Sequence, residues 1–177
     1  MRKRLRFVPY ALALAFVLVL AAIVFTVVIK PWVEGSHPAQ IRASTSNLQT
    51  ALTAAKSYYD DSGRTFLGLM NSGASSTSSI QEMDTGLSFI SEGPSTGPHF
   101  ISTEVGTDSS YLVLTAFANG TNDCWGILDI ERRAGALGIA ESPGTYFFVI
   151  RDTTTSACNA AKIKSVSASS TAGFPHG

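Results

Sequence analysis

Asp129 and Glu131 stand two residues apart at the end of the apolar stretch 124–130. Alternate positions on a strand share a face, so two carboxylates at this spacing have the arrangement of a paired general acid and base. The same alternation also describes the solvated face of a half-buried strand, which is the reading adopted. Asp60-Asp61, with Asp84, offers clustered hard oxygens of the kind calcium takes; it is read as a solvated helix end. His37, His99 and His176 are far apart, and none falls in a His-x3-His or His-Glu-x2-His spacing. His37 and His99 each adjoin a proline and are expected in exposed turns. No Gly-x-Ser-x-Gly elbow, phosphate-cradling P-loop or Gly-x-Gly-x2-Gly stretch is present. Arg132-Arg133 is too small a patch to bind DNA. Asn119-Gly120-Thr121 matches the N-glycosylation acceptor pattern and is read as a hairpin turn. The expectation is a protein that is not an enzyme, with no cofactor and no metal.

Cys124 and Cys158 are the only cysteines among 177 residues. Two cysteines exclude a dense disulfide framework and a four-cysteine zinc site. In an oxidising compartment they are expected to pair, which would be worth about 3–4 kcal/mol in the chain-entropy account. Two buried free thiols are the alternative.

Thirteen basic residues balance thirteen acidic ones, and charged residues make up 15% of the chain against about 25% in an ordinary soluble protein. Hydrophobic residues reach 45%, which excludes wholesale disorder. A pI near 6.8 excludes a strong basic field, so no nucleic-acid partner is expected. The charge is unevenly placed. Arg2, Lys3, Arg4 and Arg6 lie in the first six residues, and all thirteen acids lie in 31–177, which carries a net charge of −5.

The elements that would carry these residues follow from pattern. Residues 7–29 form an uncharged run of 23. As a helix it would reach about 35 Å, enough for a hydrocarbon core of about 30 Å. A membrane anchor over 7–30 is therefore expected, with the basic segment 1–6 cytoplasmic and the remainder extracytoplasmic: a single-pass protein of the cell membrane with the bilayer as partner. The alternative is a cleaved signal peptide, though TVVIKPW lacks an Ala-x-Ala site. Ala11, Ala15, Ala22 and Thr26 form a small-residue stripe suited to helix–helix packing.

Pro31, Gly35 and Pro38 predict an irregular linker over 31–38. Ile41, Leu48, Leu52, Ala55 and Tyr59 recur on one helical face and predict an amphipathic helix over 39–59, closed by the turn Asp60-Asp61-Ser62-Gly63. Residues 71–79 and 131–144 read as loops, and 87–90 as a short strand. Strands are expected at 111–118, 124–130 and 145–151 as an antiparallel sheet, with a hairpin at Asn119-Gly120 and a short fourth strand at 158–163. Trp125, Ile127 and Asp129 would share one strand face, with Trp125 packed on the disulfide. The Ser-rich stretch 165–177 is expected to be a disordered tail.

This layout resembles the type IV pilins and type II secretion pseudopilins. It has a basic leader, an apolar helix, an amphipathic helix running through Asn47-Leu48-Gln49 to Tyr58-Tyr59-Asp60-Asp61-Ser62-Gly63, and a small sheet with a late cysteine pair around Cys124-Trp125 and Cys158-Asn159. Three features depart from the family pattern, one of them the interruption at Pro31 to Pro38 of what is usually one long helix. Phe7 follows Arg6 where the leader ordinarily ends in Gly, and Ala11 occupies the fifth position from Phe7 where the family carries Glu. The resemblance implies an α+β, pilin-like domain over 39–164. It implies a structural role as a minor filament subunit or an accessory of the pilus or secretion apparatus. The partners would be other pilin-like subunits or assembly proteins. A membrane-anchored extracytoplasmic binding or sensory domain is the alternative.

Overall fold

The computed structural model describes residues 30–70, 80–84, 86–107, 109–131, 142–163 and 169–175. By its internal contacts the chain divides into two units, Met1–Pro38 and Ala39–Gly177, and the sheet and its packing belong to the second. Helix α1 runs Lys30–Asp61, followed by the one-turn helix α2, Ile80–Met83. Six strands follow: β1 Ser88–Ile90, β2 Phe100–Val105, β3 Tyr111–Ala118, β4 Asp123–Ile130, β5 Gly144–Ile150 and β6 Ser169–Ser170. They form one sheet in chain order.

Three expectations are corrected here. Among the described residues no helix is long and apolar enough to cross a membrane. The one long helix carries Lys30, Glu34, Arg42, Lys56, Asp60 and Asp61, and charges of this number are not compatible with a lipid-facing span. The expected transmembrane element of the fold and the single-pass placement in the cell membrane are therefore not supported. The stretch 7–29, with Ala11, Ala15, Ala22 and Thr26, lies outside the described residues. Second, 31–38 is not an irregular linker but part of α1, which continues through Pro38. A proline inside a helix removes one backbone bond and crowds the carbonyl four residues back, at a cost of about 3 kcal/mol. Propensity at Pro38 is overridden by the rest of the helix. His37 accordingly lies in α1 rather than in a turn. Third, the sheet is mixed. β1 runs parallel to β2, with Ser88 opposite Phe100, while every later pairing is antiparallel.

α1 buries Ser44, Leu48, Ala51, Ala55 and Tyr59. Spacings of four, three, four and four make this a single stripe facing the sheet. Ile41 and Leu52, expected in that stripe, are half-buried at its rim. Ser44 and Ala51 occupy the centre instead, where small side chains allow the backbones to approach. The Ser44 hydroxyl donates to the Phe117 carbonyl at 3.4 Å. The opposing sheet face presents Ile101, Leu112, Leu114, Ala116, Trp125 and Ile127. At its end α1 stops as the sequence predicts. Ser62 N–H donates to Tyr58 O and Arg64 N–H to Tyr59 O, while Gly63 takes φ +76°, the left-handed geometry that closes helices.

The other face of the sheet is also covered. Tyr111, Val113, Leu128, Ile130 and Phe148 pack with Ala160 and Ile163. Every residue of β3 and β4 is consequently buried, and their eight-residue ladder runs from Tyr111 opposite Ile130 to Ala118 opposite Asp123. Gly126 is required on this face: a β-carbon there would lie 2.1 Å from Phe148 Cζ. The expected strand at 158–163 is instead a 3-10 turn, Ala160–Lys162, capped by Asn159 Oδ1, which accepts from Ala161 N–H at 3.0 Å. The hairpin at 119–122 is a four-residue loop. Its left-handed residue is Asn122 (φ +56°), not the expected Asn119-Gly120 pair. The tail is ordered in part. Ser169–Ser170 pair with Phe147–Phe148, and Phe174 sets its ring edge-on to Trp125 and to Phe147, with centroids 5.8 and 4.9 Å apart.

Candidate functional site

Two sites follow from this frame. The first is the disulfide. Cys124 of β4 is bonded to Cys158, with the two Cα atoms 5.3 Å apart and both residues fully buried. The expected pairing stands. Its neighbour is Phe117 rather than Trp125, because consecutive strand residues point to opposite faces. Trp125 lies on the α1 side with Phe174. The bridge fastens segment 151–163 across the outer sheet face, and backbone bonds reinforce it. Ser95 N–H donates to Cys158 O at 2.8 Å, and Ala160 N–H donates to Ser102 Oγ at 3.0 Å.

The second site is charged. Alternation along β4 puts Trp125, Ile127 and Asp129 on the face that α1 covers, as expected. Asp129 is not on a solvated face, however: it is 1% exposed. Lys56 of α1 reaches it with Nζ 3.2 Å from Oδ1 and also stands 3.6 Å from Glu131 Oε1. The Thr145 hydroxyl on β5 donates to the same Oδ1 at 2.5 Å. Asp129 Oδ2 makes no hydrogen bond among the described residues. Burial alone would push the Lys56 ammonium down, but Asp129 and then Glu131 outweigh it and hold its pKa above the ordinary value. Burial and then the Asp129 charge push the Glu131 carboxyl up, against the pull of Lys56.

Lys56 and Glu131 border an open cleft of about 720 Å³ with Tyr59, Asp60, Arg64 and Thr65. The paired carboxylates are thus brought together, but by an ammonium that both share. The arrangement is a tie between helix and sheet. The apolar periodicity of the sequence does not single out Lys56. Its position beside Ala55, on the rim of the apolar stripe, is the signal that could have found it.

The remaining sequence candidates are not assembled into a site. Asp60 and Asp61 end α1 exposed, and Asp84 accepts from Gly86 N–H at 2.9 Å. Among the described residues no group of three or more His, Cys, Asp or Glu could hold a metal ion. His99 is exposed, with Nδ1 3.2 Å from Asn47 Nδ2. His176, Arg132, Arg133, residues 71–79 and most of 131–144 lie outside the described residues.

No protein-family model, curated protein or solved structure matches the chain.

Proposed function

We propose that the chain is a pilin-like structural protein that acts without catalysis. It is either a minor subunit of a filament of the type IV pilus or type II secretion kind, or an accessory in its assembly. The carrying observation is α1, which between Ile41 and Tyr59 turns one side to the sheet and leaves the other polar and exposed. Arg42, Ser46, Gln49 and Thr53 lie on that outer side, in position to pack beside other subunits. The disulfide supports the same reading, since it stiffens a domain whose role would be display. A binding or sensory domain would need a hollow lined by aromatic side chains. The open cleft bordered by Lys56 and Glu131 has Tyr59 as its one aromatic side chain, and that reading is not adopted.

The test is recovery of the tagged full-length chain from the cells that produce it. Other pilin-like subunits or pilus assembly proteins should accompany it. A chain recovered alone would overturn the proposal.

A further inference from the structure

We infer that Asn119 is an N-glycosylation acceptor. Asn119-Gly120-Thr121 occupies the loop between β3 and β4, and Asn119 is exposed. The loop is closed by Thr121 N–H and Asn122 N–H, both donating to Ala118 O at 3.2 and 3.0 Å. A bulky hydrophilic glycan needs an acceptor that remains outside the fold, and this turn supplies one. The acceptor pattern also requires a hydroxyl two residues on. Thr121 carries it, and in the folded domain that hydroxyl is buried and makes no hydrogen bond among the described residues. An unsatisfied buried hydroxyl is destabilising relative to an apolar isostere. Thr115 is in the same condition, but it sits in β3, where a β-branched residue is favoured by the strand itself. Thr121 sits in a turn and has no such reason. Its hydroxyl has a use before the hairpin closes, when a transferase reads the extended segment. The disulfide five residues beyond Asn119 is the independent observation. It joins Cys124 to Cys158, and bridges of this kind persist in oxidising compartments, where such transfer also takes place.

In the transfer step the donor is a polyprenyl diphosphate-linked oligosaccharide. Asn119 Nδ2 bonds to the anomeric carbon, the carbon–oxygen bond to the diphosphate breaks, and the diphosphate leaves with the electron pair. One proton passes from Nδ2 to a base of the transferase. The glycan then shields the end of the β3–β4 hairpin.

The test is peptide mapping by mass spectrometry of the full-length chain from its native producer. The peptide holding Asn119 should carry a sugar mass that an amidase removes, converting the asparagine to aspartate. N119Q and T121V should abolish the modification and T121S should retain it. In the unmodified state T121V should unfold at no lower denaturant concentration than wild type. An unmodified Asn119 in the native protein would overturn the inference, as would a sugar mass that survives in T121V or that maps to a serine or threonine.

Discussion

Lys56 of the helix and Asp129 of the central strand face each other at 3.2 Å, although the carboxylate is 1% exposed and the lysine side chain 43% exposed. Removing one partner of such a pair leaves a buried charge without compensation, whereas removing both does not. The pair is half-solvated on one side, so the cost of K56M should be about 1–3 kcal/mol. D129N should be destabilising as well, and the double variant K56M/D129N less so than the sum of the two. Urea unfolding of the four proteins measures the coupling. Additive single effects would contradict the tie.

Glu131 adds a pH dependence whose sign follows from its raised pKa. A carboxyl that holds its proton more tightly folded than unfolded gains stability as pH falls towards its ordinary value of 4.5. Lys56 acts in the same direction at the alkaline end. Its raised pKa keeps the stability it supplies intact below 10.5 and loses it above. E131Q should therefore flatten the stability profile between neutrality and pH 4.5. Chemical denaturation across that range checks it, and an unchanged profile would count against the assignment.

The disulfide closes a separation of 34 residues. Loss of the loop-closure term in C124A/C158A should cost about 3–4 kcal/mol. Because both cysteines are fully buried, a reductant should act on the wild type only as it unfolds. Reduction that outpaces unfolding, followed by pulse alkylation, would contradict this.

Any side chain at Gly126 must displace the Phe148 ring, which occupies the space of its missing β-carbon. G126A should destabilise by about 1–3 kcal/mol, and F148L in the same chain should recover part of that loss. Thermal unfolding of the single and double variants separates overpacking from a general weakening of β4.

Particular residues show what sequence reading reached. The helical stripe was legible because Leu48, Ala55 and Tyr59 repeat at helix spacing, and β3 and β4 because β-branched and aromatic runs flank a turn. Ser44 and Ala51 were invisible as core, since a buried small residue has no hydropathic signature. Pro38 misled because local propensity was weighed without the helix on either side of it. The strand Phe100–Val105 went unread. Its run FISTEV is partly polar, yet Ser102 and Thr103 are buried, Ser102 with a bond to Gly93 O that only the fold supplies. Phe174 was hidden in a serine-rich stretch, where composition suggested disorder and two aromatic partners impose order. The Lys56–Asp129–Glu131 cluster joins residues more than seventy positions apart, a proximity that one sequence does not encode locally.

The most direct test of the pilin-like reading uses the exposed side of α1. Gln49 lies there, and both native cysteines are locked in the disulfide. Q49C is thus a single free thiol on the surface proposed to pack against neighbours. Thiol crosslinking in the producing cells should give adducts with other pilin-like subunits or a ladder of the chain itself. A chain that remains monomeric there, under conditions that crosslink a known filament subunit in the same cells, would contradict the reading.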